Sequence, residues 1–258
     1  MRAQTVVADV ADELARRVAT GEYPPGDLMP SVRQVAGEFD MNRATAQLVL
    51  GRLESYGFVD AHRGRGFTVR DVRHAGGVDV YRRLFRLSRH EPGVASEMFG
   101  NIVAAGRAIV LEALLDYTAA ERGIEPAVLS AVVDELETEA RSAEPDHDRM
   151  LALEVGLVRA VLTDLGRTMQ RAVLNSVGEM LFEVPEAVAA YFAISADRHV
   201  LVWRALLAVW ESTAGPSQAQ LAMFEDLFAM YHEKVRARFD ELVGMDAGSD
   251  VRRHSATA

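Results

Sequence analysis

The chain of 258 residues contains no cysteine. That excludes a disulfide framework, a thiolate zinc site and a cysteine nucleophile. Read as sequence, it also lacks an apolar run approaching the length of a bilayer span, so no membrane partner is expected. Its first residues, MRAQTVVADVADELARR, place acids inside the apolar stretch and offer no small-residue cleavage site, unlike a secretion signal. No internal repeat is visible. Neither a Ser-His-Asp set, a phosphate loop nor an HExxH spacing is present, so the chain does not read as an enzyme. These absences point to a cytoplasmic, non-catalytic protein long enough for two domains or one large one.

What is present is unevenly distributed. The formal net charge is −10, which by itself argues against a nucleic-acid partner. Residues 1–77, however, balance 10 Arg against 10 Asp or Glu, and the remainder carries 18 basic against 28 acidic groups. Within the balanced part the charge is segregated. MNRATAQLVLGR (41–52) and AHRGRGFTVR (61–70) hold arginines and no acid. Local potential decides such contacts more than the global sum does.

Periodicity divides the chain in the same place. Val6, Val10, Leu14 and Val18 are spaced as one face of a helix over Thr5 to Ala19. Tyr23-Pro24-Pro25-Gly26 forms a turn that no helix can cross. Ser31, with Gln34 three residues on, has capping-box spacing and opens a short helix from Val32 to Phe39. Asn42 caps a third helix whose apolar face is Ala46, Val49, Leu50 and Leu53. Phe58–Ala61 and Phe67–Val69 flank Arg63-Gly64-Arg65-Gly66 as a β-hairpin with a basic tip. After Gly77 the pattern is helical, with helices expected near 78–89, 95–122, 126–142, 147–165, 167–183, 186–211 and 217–243. Breaks fall at Pro92-Gly93, Gly123, Pro126, Pro145, Pro185 and Gly215-Pro216, and the polar tail 244–258 reads as disordered.

A short helix, a tight turn and a second helix are the parts of a helix-turn-helix, whose second helix enters the major groove of DNA. Arg33 and Arg43 lie near helix N-termini, where phosphates are also favoured by the helix dipole. Thr45 and Gln47 are placed on the exposed side of the third helix; Gln47 can pair with adenine and Thr45 can meet a phosphate or a thymine methyl. Gly64 lets Arg63 and Arg65 approach the DNA closely. Ser31 and Asn42, as N-caps, complete the set of residues expected at the interface.

Gly21 through Val69 resembles the winged helix-turn-helix of GntR-type bacterial transcription regulators. The elements that carry the resemblance are PPGDLMPSVRQVA, NRATAQLVLGRLESYGFV and HRGRGFTV. The resemblance implies DNA contact by Arg33, Arg43, Thr45, Arg63, Gly64 and Arg65. At Gln47 the family usually has an arginine that reads guanine, so the preferred operator is expected to differ here. A dimer on a pseudo-palindromic operator follows from the same comparison.

The helical remainder resembles the FadR-type subgroup, whose effector domain is an antiparallel helical bundle that also dimerises. The expected fold class is therefore mainly α. A winged helix-turn-helix with a small β-hairpin (1–73) precedes an all-α effector-binding and dimerisation domain (78–243). Many relatives bind a metal through an Asp, a His four residues later and two further His. Here the first pair falls on Glu154 and Val158, and valine cannot ligate; His199 and His232 match the other two. Two readings stay open: a metal held by Glu154, His199 and His232, or a polar cavity built from them. The metal-free branch of the subgroup binds acyl-CoA, and Arg159 follows the missing histidine as an arginine does in that branch. Arg107, in the apolar context NIVAAGRAIVLEALL, needs a partner, either Glu112 or a ligand carboxylate. The effector site is accordingly expected at Arg107, Glu154, Arg159, His199 and Trp203, with fatty acyl-CoA or another carboxylate as the small-molecule effector and no assured cofactor. A metal-sensing regulator, a carboxylate–histidine metal hydrolase joined to a DNA-binding domain, and a helical interaction module with no ligand remain as alternatives.

Overall fold

The computed structural model describes residues 2–120, 123–212 and 216–255. The chain divides into two compact units, Met1–His90 and Glu91–Ala258.

In the first unit α1 (Arg2–Ala19), α2 (Val32–Glu38) and α3 (Arg43–Ser55) pack through α3, which touches both of the others. The buried stripe of α1 is Val7, Ala11, Leu14, Ala15 and Val18. This corrects the expected stripe, because Val6 is exposed and Val10 only half-buried. Arg17 of α1 bonds Glu13 at 2.8 Å and Glu38 of α2 at 2.6 Å, tying the two helices together. Leu14, Leu50, Leu53 and Phe58 are fully buried, each contributing about 1.5–3 kcal/mol of apolar transfer.

The hairpin pairs β1 (Val59–His62) with β2 (Gly66–Val69), antiparallel, with Val59 opposite Val69 and His62 opposite Gly66. The segment before α2 clamps it from the side: Met29 N–H donates to the Phe67 carbonyl, and Val69 N–H to that of Asp27. Gly57, between α3 and β1, has φ +83°, and a Cβ there would lie 2.9 Å from Val80 Cγ2. That valine belongs to α5 (Val78–Leu87), which follows the short α4 (Val72–Ala75). Although the sequence reading ended the N-terminal domain at residue 73, α5 packs on α1 and the unit runs on to His90. Arg86 bonds Asp12 of α1 at 2.9 Å. The Arg83 guanidinium lies 3.7 Å over the ring of Tyr56, whose hydroxyl accepts a bond from Arg52 Nε at 2.6 Å. Helix periodicity showed that α5 would form; which partner its apolar side would meet was a tertiary matter.

The second unit is a bundle of α6 (Pro92–Ala119), α7 (Pro126–Ala140), α8 (His147–Asp164), α9 (Thr168–Phe182), α10 (Pro185–Tyr191), α11 (Ala196–Glu211) and α12 (Gln218–Ser255). Proline occupies the first position of α6, α7 and α10, where its missing N–H costs nothing. Helix α6 packs on α8, α9 and α12, while α7 packs on α8 and α11. By length and composition α6 is apolar enough to cross a membrane, which corrects the expectation that no such run exists. It packs on three other helices of the bundle, and a third of its most apolar window is buried there.

Two helices differ from the sequence reading. The single helix expected over 186–211 is broken into α10 and α11, with Ser195 in an extended conformation at the start of α11. No proline or glycine marks that break, so composition gave no sign of it. Helix α12 continues through Gly244 to Ser255, across the stretch expected as a disordered tail. Each of the two glycines it crosses, Gly244 and Gly248, weakens a helix by about 1 kcal/mol without ending it. The expected break at Gly215-Pro216 lies partly outside the described residues, as does the very end of the tail.

Candidate nucleic-acid interface and ligand cavity

The turn between α2 and α3 is built from two caps. Ser31 accepts from Gln34 N–H while the Gln34 side chain accepts from Ser31 N–H at 2.8 Å, the reciprocal bond that the S-x-x-Q spacing predicts. Asn42 Oδ1 accepts from the Thr45 amide at 2.9 Å and from the Thr45 hydroxyl at 3.1 Å. Such caps are worth about 1 kcal/mol each. They also orient the outward face of α3, on which Arg43 and Gln47 are exposed, opposite the buried Ala46, Val49, Leu50 and Leu53. Thr45 is only half-buried, and its hydroxyl already serves the cap. Its methyl remains for an apolar contact. Leu48, 64% exposed beside Gln47, was missed by the sequence reading. Its signal was there: an apolar residue on α3 that does not belong to the helix's apolar stripe.

At the hairpin tip Arg63, Gly64 and Arg65 are exposed. Gly64 has φ +77° and open space around its Cβ position, so the tip presents bare backbone between two guanidinium groups. Arg33, at the start of α2, is exposed too. No ion pair engages Arg33, Arg43, Arg63 or Arg65 among the described residues. By contrast, Arg16, Arg17, Arg70 and Arg86 of the same unit each face an Asp or Glu. The exposed arginines of α2, α3 and the tip thus keep their charge unpaired, as do the exposed Arg73 and Arg89 elsewhere in the unit, among the described residues.

The second unit encloses a cavity of about 500 Å³, open on one side. Its wall is largely apolar, with residues of α6, α8, α9, α11 and α12, and four of its polar side chains are joined by hydrogen bonds. Glu154 of α8 and His199 of α11 are both buried, with Nδ1 of the imidazole 2.8 Å from Oε1 of the carboxylate. The other carboxylate oxygen accepts from the Tyr191 hydroxyl at 2.5 Å, and the Tyr231 hydroxyl donates to the Tyr191 carbonyl at 2.5 Å. Burial first, and then the Glu154 charge, pushes the hydroxyl pKa values of Tyr191 and Tyr231 well above the usual range. Both therefore remain neutral donors. His232 Nδ1–H donates to the Phe228 carbonyl at 2.6 Å. Burial, together with the positive charge of Arg107, pushes the His232 pKa below its ordinary value, against the pull of that carbonyl. One atom of the cluster stands apart. His199 Nε2 is buried without a hydrogen-bond partner, a state that costs about 1–3 kcal/mol when nothing fills it.

Of the expected effector residues, Arg107, Glu154, His199 and Trp203 line the cavity. Arg159 does not: it is exposed, and its Nε donates to Asn175 Oδ1 at 2.9 Å. Five residues along a helix is about 140° of rotation, so Glu154 and Arg159 cannot share a face. The same geometry separates Arg107 from Glu112, which is exposed and forms no ion pair with it among the described residues. Val158 is buried in the bundle. No group of three His, Asp or Glu close enough to hold a metal occurs among the described residues. Glu154 and His199 are brought together, but His232 is not joined to them as a third ligand, so this donor set does not fit the metal alternative.

Residues 7–69 match the family model described as bacterial regulatory proteins, gntR family. The chain is similar to the HTH-type transcriptional regulator Mce2R of Mycobacterium tuberculosis, with 37% identity over 81 residues, or 31% of this chain. That match spans 34% of the relative's own length, about a third. A fatty acid metabolism regulator protein of Yersinia enterocolitica is 22% identical over 194 residues, covering 72% of this chain and 77% of the relative. Among solved structures, a Streptococcus agalactiae GntR protein aligns at 16% identity over 90% of this chain and 99% of its own, with a TM-score of 0.31. The capped helix pair, the clamped hairpin and the family match coincide on the same residues: the N-terminal unit has a winged helix-turn-helix fold, and its residues 7–69 match the model of the gntR family of bacterial regulatory proteins.

Proposed function

We propose that this chain is a cytoplasmic, ligand-responsive transcription regulator that binds double-stranded DNA as a homodimer. The observation that carries the reading is the clustering of four exposed arginines on α2, α3 and the hairpin tip, none with an ion-pair partner among the described residues. In this reading α3 enters the major groove with Gln47 and Leu48 toward the bases, Arg33 and Arg43 meet phosphates, and Arg63–Arg65 reach the neighbouring groove. Ser31, Asn42 and Thr45 act mainly by holding the turn. Two copies related by a two-fold axis would read a pseudo-palindromic operator.

The cavity of the second unit supports a small-molecule effector with an apolar body. Arg107 inside it, and exposed Arg198 and Lys234 on its lining, favour a carboxylate or another anionic group on that molecule. The similarity to fatty acid metabolism regulators makes long-chain acids and their CoA esters the first class to consider. An effector would act through unequal affinity for two arrangements of the dimer. A ligand-free interaction module is disfavoured by a cavity of this size with Arg107, Glu154 and His199 on its wall.

The test uses an operator selected from random DNA with the full chain. Replacing Arg43 and Arg65 together by Ala should lower operator affinity at least a hundredfold, since each lost contact is copied in the dimer. The far-UV circular dichroism should not change. Wild-type affinity of the double variant at moderate salt would exclude this docking mode.

A further inference from the structure

His199 Nε2 is a buried polar atom of the cavity wall with no hydrogen-bond partner among the described residues. Its neighbours are engaged with each other. Both Glu154 oxygens are taken, by His199 and Tyr191; the Tyr231 hydroxyl and His232 Nδ1 are bonded to backbone carbonyls. The ring itself is held on several sides, with Tyr191 at 5.4 Å, Phe192 at 4.7 Å and Tyr231 at 5.4 Å between centroids. It cannot easily turn to find another partner.

The carboxylate beside Nδ1 decides what Nε2 can bind. A carboxylate accepts only, so Nδ1 carries the proton, and in the neutral ring Nε2 presents a lone pair. A second carboxylate there would meet that lone pair and would bring a like charge close to Glu154 in an apolar setting. A hydroxyl can donate to Nε2 without burying a charge. Water could donate as well, so the two occupants are told apart by whether a hydroxylated acid binds more tightly than its parent.

Resting on the reading of the cavity as the effector site, we propose that the ligand carries a hydroxyl group that donates to His199 Nε2, so that the site selects hydroxylated apolar carboxylates. Glu154 is a positioning residue: it sets the tautomer that makes Nε2 an acceptor. A glutamine in its place would keep its oxygen toward the donating Tyr191 and turn its amino group to Nδ1. The imidazole proton would then move to Nε2, and the preference would invert from hydroxyl to carbonyl.

The experiment is isothermal titration of the full chain with dodecanoic acid, its 3-hydroxy and 12-hydroxy derivatives, and the matching oxo acids. Wild type should bind one hydroxy acid about tenfold tighter than both the parent and the matching oxo acid. Glu154→Gln should reverse the order of the hydroxy and oxo acids, and His199→Phe should erase the difference while still binding the parent acid. The His199→Phe arm covers the case in which the glutamine variant fails to fold, and the Glu154→Gln arm the converse. Equal binding of all the acids by wild type, as expected if a resident water fills the site, would overturn the hydroxyl assignment and leave the cavity reading intact. Preference of wild type for the oxo acids would overturn it in the same way. Failure of every acid to bind folded wild type would remove the carboxylate-effector reading and this inference with it.

Discussion

At the scale of single residues, the first unit shows how arginine is divided between structure and display. Arg16 and Arg17 both bond Glu13, and the hydrogen bond from Arg16, ahead of that from Arg17, holds its carboxyl pKa at about 2 against an ordinary 4.5, despite the opposing effect of burial. A carboxyl whose folded value is depressed contributes stability above its ordinary value and loses it as pH falls to the folded one. The side chain is 33% exposed, so solvent screening limits the contribution to less than about 1 kcal/mol. Glu13→Gln should therefore lower the melting temperature at pH 7, and the gap from wild type should narrow as pH falls from 4.5 toward 2. Calorimetry across that range checks it; a gap that stays constant would mean the loss is one of packing. Arg33, Arg43, Arg63 and Arg65 take no part in such pairs among the described residues, and this distinction was only half legible in sequence. Acid-free windows around 41–52 and 61–70 located them. Their freedom from distant acids could be seen only once the chain was folded.

Among the elements, those whose ends are set by neighbouring residues were the ones the sequence displayed. The caps Ser31 and Asn42, and the prolines opening α6, α7 and α10, act within one turn of where they stand. The break between α10 and α11 has no such local marker, and it is what brings Tyr191 and His199 onto the same carboxylate. Arg159 was misplaced for a related reason: similarity aligned it, whereas helix rotation turned it to solvent. Packing between elements also separates two glycines that look alike by backbone angle. Gly57 and Gly64 both have positive φ, but a Cβ on Gly57 would meet Val80 at 2.9 Å, and one on Gly64 would meet nothing within 4 Å. Gly64→Ala should cost about 1 kcal/mol of backbone strain. Gly57→Ala should cost about 2–4 kcal/mol, because α5 must shift as well. Equal losses in denaturant titrations would show that α5 yields freely.

For the whole molecule, the structural boundary at His90 redraws the charge distribution. Residues 1–90 hold 14 Arg against 11 Asp or Glu, and residues 91–258 hold 14 basic against 27 acidic groups. The unit with the winged helix is thus net positive, and the acidity resides in the other. If the proposed docking holds, the salt dependence of operator binding counts copies. Four displayed arginines in each of two subunits should give a slope of log affinity against log salt of about −7, and a single subunit about −4. Filter binding between 50 and 300 mM salt reads that slope. A value that does not change in the Arg43→Ala/Arg65→Ala protein would show that other cations carry the contact.

Helix α5 gives α3 a handle. Arg83 lies flat on Tyr56 at the end of α3, Arg86 is fastened to Asp12 of α1, and Val80 sits against the Gly57 turn. Within the first unit, a displacement of α5 would therefore pass to the end of α3 as torque on a clamped lever instead of being absorbed by a slack segment.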